Sequence, residues 1–207
     1  MEKLTKKGLD GTQLKTIALV LMVLDHIHYF FEFTGCIPTV FNMLGRLSAP
    51  LFLFCTVEGF AHTHDRKRYF IRIWAIGTAM AALEFFMIYA KAFRRGDDFY
   101  PLNAIFQDLM LLYALRGRRK VQLTVWALVI FLCDFALTFG MACRQEGFVW
   151  TQMFTDYYEW FGVAAVLLML LYNGQRGSGH KRLFYWFYPA HVYLLYGASC
   201  LVYNVLR

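Results

Sequence analysis

Charge is scarce in this chain. Asp, Glu, Lys and Arg make up 17% of its 207 residues, against 59% hydrophobic and 19% aromatic. A soluble domain is usually about 45–50% apolar. One long soluble core is therefore excluded, and an integral membrane protein is the natural class. No CxxC or metal-finger spacing joins Cys36, Cys55, Cys133, Cys143 and Cys200, which excludes a cysteine-built metal module. They read as unpaired apolar side chains, with Cys36 and Cys143 the one pair that the topology below puts on the same outer side. No nucleic-acid motif, internal repeat, low-complexity tract or separate soluble domain is visible, so residues 1–207 read as a single integral membrane domain. The basic lead-in "MEKLTKKGLDGTQLK" precedes a run that is too long for a cleavable signal and carries Asp25. With no small-residue cleavage site in view, that first segment is expected to stay in the mature protein.

What is present is a series of apolar runs. A helical span needs about 20 such residues. Seven candidates fit: 14–33, 40–61, 70–90, 101–116, 121–141, 157–173 and 183–205, with the fourth and sixth short. The expected fold is all-α, a polytopic membrane helix bundle of about seven transmembrane helices. The net charge of +7 matters through its placement. Lys3, Lys6 and Lys7, "DRKR" at 65–68, "RGRRK" at 116–120, and Arg176, Lys181 and Arg182 fall on one side of a seven-span bundle. The positive-inside rule puts that side, and the N-terminus, in the cytoplasm. Lys91, Arg94 and Arg95 violate the pattern, beside Asp97 and Asp98. Tyr100, Trp150, Tyr157, Tyr158, Trp160 and Trp186 gather near span ends, as interfacial anchors do.

The informative residues are the charges set into these runs. Each costs about 2.5–3.5 kcal/mol on insertion scales, so a bundle bears them only by turning them inward. The first span holds Lys15, Asp25, His26 and His28; the second holds Arg46 and Glu58; Glu84, Asp108 and Asp134 follow. Counting depth from the expected topology places Asp25, His26 and Arg46 in an outer layer, and Lys15 with Glu58 near the cytoplasm. A histidine near neutral pKa can take a proton from a nucleophile. Neighbours on a helix project about 100° apart, so Asp25 is expected to pair with Arg46 and leave His26 to face a cavity. His28, about 200° round from His26, reads as structural. In the last span Tyr188 and His191 share a face beside Pro189, a cavity lining or an aromatic belt. In the fourth, Asn103, Gln107 and Asp108 form a polar stripe, a cavity wall or an interhelical contact.

Four stretches carry a resemblance: "LKTIALVLMVLDHIHYF", "GRLSAPLFLFCTVEGFAHTHDRKRYFIRIW", "NAIFQDLMLLYAL" and "FYPAHVYLLY". Together they resemble the TraX family of bacterial inner-membrane proteins, itself similar to the type-three membrane acyltransferases. That broader group carries an Arg, ten residues, then a His in its first span. Here Lys15 stands in the Arg position and ten residues separate it from His26. The resemblance implies acetyl transfer from acetyl-CoA (acyl-CoA), with His26 as general base and Asp25 and Arg46 at motif positions beside it. Lys binds phosphate as a point charge, without the bidentate fork of Arg. About 16 Å of helix separates Lys15 from His26, which suits a long acyl-CoA arm entering from the cytoplasm. Lys15, Arg68 and Arg72 are then expected to hold nucleotide phosphates, and Glu58, Asn103, Tyr188 and His191 to meet the substrates. The acceptor is a hydroxyl or amine of an envelope glycan, a lipid-linked sugar or a pilin-like peptide, among membrane lipids, and no metal is called for. Two rivals remain. A proton-coupled transporter uses the same Asp/His/Arg set, though transporters often show an inverted repeat. A non-enzymatic assembly factor would tolerate loss of the buried charges.

Overall fold

A computed structural model describes residues 8–75, 79, 112–179 and 181–206. These residues are helical apart from turns, loops and an isolated bridge between Leu9 and Tyr172. Among them, Gly11–Thr34, Val40–Ala61 and Arg119–Ala142 are long and apolar enough to cross a membrane, and Glu159–Leu170 is a shorter apolar helical stretch. The expected spans 70–90 and 101–116 lie mostly outside the described residues. The chain forms two compact units: residues 1–57 with 103–179, and 58–102 with 180–207.

In the first unit, α1 (Gly11–Phe31) starts at a capping box. The Asp10 carboxylate accepts the backbone N–H groups of Thr12 and Gln13, both at 2.8 Å, and the Gln13 side chain accepts the Asp10 N–H at 2.9 Å. Leu14, Ala18 and Met22, four residues apart, form its buried face, as helical spacing requires. A 3-10 turn, Glu32–Thr34, ends at Gly35, whose φ of +68° suits glycine. The second apolar run is two helices, α2 (Val40–Gly45) and α3 (Ser48–Ala61). Pro50 accounts for the break: it has no N–H to give the Arg46 carbonyl four residues back. Helix α1 packs chiefly on α2.

Further on, the first unit holds α5 (Arg119–Ala142), a single turn Gln152–Thr155, a 3-10 segment Glu159–Ala164 and α6 (Ala165–Leu170). The run 157–173 is therefore not one continuous α-helix. Gly162 within it sits against the Arg46 carbonyl, where a Cβ would lie 3.1 Å from the oxygen. Leu14, Leu51, Phe54, Leu123, Trp126 and Met169 are fully buried together. The chain before α1 is tied to the segment after α6. Leu9 N–H donates to Leu171 O at 2.8 Å, Asn173 N–H to Leu9 O at 2.9 Å and Gly11 N–H to Gln175 O at 2.8 Å. Arg119 clamps the same place, donating to Tyr172 O at 2.6 Å with its guanidinium 4.8 Å from that residue's ring centroid.

The second unit contains the last turn of α3 from Glu58, a helix α4 over 66–75, and α7 (Lys181–Leu206). Asp65 opens α4 by accepting the Arg68 backbone N–H at 2.9 Å. Helix α7 carries Pro189 in its interior.

Candidate functional site

The polar residues of the first unit converge where α1 meets α2 and the 3-10 segment. Asp25 and His28, three residues apart, share a face of α1, and both reach α2. A Cβ built on Gly45 would collide with Cβ, Cγ and Oδ1 of Asp25, so α2 can lie this close only because residue 45 is glycine. His28 is buried, and its Nδ1 lies 3.4 Å from the side-chain amide nitrogen of Asn42. Arg46, four residues after Asn42, lies near enough to Asp25 to act on its charge, as do Glu159 and His28.

The depth-based expectation that Asp25 and Arg46 meet is sharpened here. They are electrostatic neighbours, but the ion pair of Arg46 is with Glu159, NH2 to Oε1 at 3.1 Å. The guanidinium also lies 5.9 Å from the ring centroid of Tyr158. Tyr158, expected as an interfacial anchor, is instead buried. Two polar atoms of this cluster are buried without a hydrogen-bond partner among the described residues: Oδ1 of Asn42 and Nε of Arg46.

His26 is half-buried, with its ring 6.1 Å from that of Phe30. On helical geometry it flanks Asp25 on the side opposite His28. Lys15 lies one turn into α1, also half-buried. His28, Asn42 and Glu159 were not singled out as site residues by sequence reasoning. The i,i+3 spacing of Asp25 and His28 was the available signal for one of them. Glu159 lay hidden in the aromatic string "YYEWF".

The remaining expected residues belong to the second unit or lie outside the described residues, as Asn103 does. Glu58 has His62 one turn on, with Nδ1 2.9 Å from the Glu58 backbone oxygen and 3.9 Å from its carboxylate. Arg68 pairs with Asp65 at 3.1 Å on an exposed surface, and Arg72 is exposed. His191 is buried and donates through Nδ1 to Phe187 O at 2.8 Å, its ring 5.9 Å from that of Tyr188. Tyr188 and His191 thus meet, as their spacing implied. Among the described residues no three His, Cys, Asp or Glu side chains gather to hold a metal ion. No disulfide joins the cysteines, and Cys36 and Cys143 are exposed and free.

Comparison with known proteins adds to this geometry. The family model described as "TraX protein" matches residues 10–147. A probable fimbrial assembly protein FimC, serogroup H1, of Dichelobacter nodosus is 27% identical, over 90% of this chain and 94% of its own length. No solved structure matches the chain.

Proposed function

The chain belongs to the TraX family, and from that membership we propose that it is a multi-pass acyltransferase of the bacterial inner membrane. In this reading it moves an acetyl group from cytoplasmic acetyl-CoA to a hydroxyl or amine of an exported or envelope acceptor. The observation that carries the reading is the unbroken α1 from Gly11 to Phe31. It holds Lys15 and His26 on one rod, and it presses Asp25 onto the Gly45–Arg46 corner.

In this reaction the acceptor's lone pair attacks the thioester carbonyl and a new C–N or C–O bond forms. The acceptor proton passes to His26. The C–S bond then breaks, and the thiolate of CoA takes the proton from His26 as it leaves. Arg46, held by Glu159 and Tyr158, stabilises the oxyanion of the tetrahedral intermediate. Lys15 serves the nucleotide phosphates. The fimbrial name of the D. nodosus relative favours an exported pilin-like peptide as acceptor.

The test is mass spectrometry of surface polymers and small exported proteins from cells carrying the wild type or His26→Ala. A mass increase of about 42 Da per acetyl group, present with the wild type and lost with a normally inserted His26→Ala protein, is expected. Full acetylation by His26→Ala would remove His26 as base. Proton-linked solute flux without any acetyl-CoA turnover would replace the enzyme by a transporter.

A further inference from the structure

In the second unit, α4 rests on the end of α3 through Tyr69 and Arg66. Tyr69 covers Gly59, where a Cβ would sit 2.8 Å from the tyrosine hydroxyl oxygen. Arg66 holds its guanidinium 5.7 Å from the ring centroid of Phe60. Every residue of α4 except Tyr69 is nevertheless exposed. Two kinds of side chain share that open surface. Phe70 and Trp74, one turn apart, are 62% and 61% exposed, with Ile71 and Ile73 beside them. Arg66, Lys67, Arg68 and Arg72 are the others, and of these Arg68 is paired with Asp65 at 3.1 Å. Arg68 and Arg72 also stand one turn apart, a like-charge pair that disfavours the helix in water.

The two kinds of side chain ask for different surroundings. Clustered Phe, Ile and Trp favour an apolar neighbour. Four cations within seven residues favour an anionic one. An acidic soluble protein supplies the charge without the apolar layer. Hydrocarbon alone strips the guanidiniums of water at high cost. The headgroup layer of a bilayer containing acidic lipid supplies both. The order along the helix agrees: Arg66, Lys67 and Arg68 lead, and Phe70, Ile71, Ile73 and Trp74 follow, as in a chain passing from headgroups into hydrocarbon. Arg72 is about 6 Å further along than Arg68 on the same stripe, and its long stem lets the guanidinium reach back to the headgroups.

We propose that α4 is a binding surface for acidic phospholipid. Lys67, Arg68 and Arg72 meet its phosphate-bearing headgroups, and Phe70, Ile71 and Trp74 enter the acyl layer beside them. This rests on the multi-pass membrane reading above and is independent of the acyltransfer chemistry. It moves Arg68 and Arg72 from the phosphates of a soluble nucleotide, expected from resemblance, to those of lipid. Their stripe lies on an open surface beside exposed apolar side chains, which a nucleotide would leave uncovered.

The test uses the full-length protein reconstituted in vesicles of phosphatidylcholine mixed with phosphatidylglycerol. Lipid that stays bound after detergent extraction is counted by native mass spectrometry. Wild-type protein is expected to retain phosphatidylglycerol in preference to phosphatidylcholine, and less of it as salt rises. Lys67→Gln, Arg68→Gln and Arg72→Gln are surface changes that leave the thermal midpoint in place, and each is expected to lower that preference about fivefold. Arg144→Gln, at an exposed arginine in the first unit, is expected to leave it unchanged. Equal retention of the two lipids by the wild type overturns the surface. So does a preference that survives the double variant Arg68→Gln/Arg72→Gln, or that falls equally in Arg144→Gln. Displacement of phosphatidylglycerol by coenzyme A gives the stripe to a soluble phosphate and overturns the lipid assignment. A protein that alkaline carbonate washes off the vesicles defeats the membrane reading itself, a different result from any of these.

Discussion

At the residue scale the site turns on how closely α2 approaches α1. Gly45 lies against Asp25 with no room for a side chain. Gly45→Ala is expected to force the helices apart at about 1–3 kcal/mol, the usual range for overpacking, and a lower thermal midpoint of the detergent-solubilised protein would report it. Glu159 makes a different case. Its ion pair with Arg46 is partly open to its surroundings, the two side chains being 47% and 23% exposed, and such pairs contribute only about 0.2–1 kcal/mol. Glu159→Gln is therefore expected to unfold near the wild-type temperature while acyl transfer falls about tenfold in kcat, because Arg46 loses the charge that aims it. A thermal scan beside a turnover assay separates the two effects. The neighbourhood of Asp25 and Arg46 was legible from depth counting alone. The partner of Arg46 was not: Glu159 is distant in sequence and sits in a short 3-10 segment, where neither helical periodicity nor span-depth counting applies.

At the element scale the long apolar runs at 14–33, 40–61 and 121–141 are helical, as their length and hydropathy require. Within them, the break between α2 and α3 was readable in principle from Pro50, whose effect falls four residues upstream at Arg46. The run 157–173 misled because composition cannot tell a continuous helix from a 3-10 segment followed by a short α-helix. The start of α1 depends on chemistry that the sequence does display, an Asp three residues before a Gln. Asp10→Ala is expected to cost about 1 kcal/mol through the lost cap. Faster amide hydrogen exchange in the first turn of α1 than in its middle would show the loss to be local.

On the scale of the whole molecule, family membership and a membrane-type set of apolar helices agree with the sequence reading, and the cellular role follows from the proposed chemistry. Cells with His26→Ala are expected to insert the protein in normal amounts yet export unacetylated acceptor, which an immunoblot of membranes beside intact-mass analysis of the exported material would establish. The number of crossings was less legible. Hydropathy counts apolar runs, but three helices are long and apolar enough among the described residues, and two of the seven runs lie mostly outside them.

The tie between Leu9 and the segment 171–175 has a consequence for biosynthesis. Thr12 and Arg176, joined in the same knot at 3.3 Å, are 164 positions apart in the chain. At a synthesis rate of about 5–20 residues per second, the entrance of α1 waits about 8–33 s after its own translation before its partner segment is made. During that interval the first helix has its own cap but not its clasp. The chain can close its first unit only after Arg176 has been made, so a product that stops short of Tyr172 carries α1 with its start unfastened.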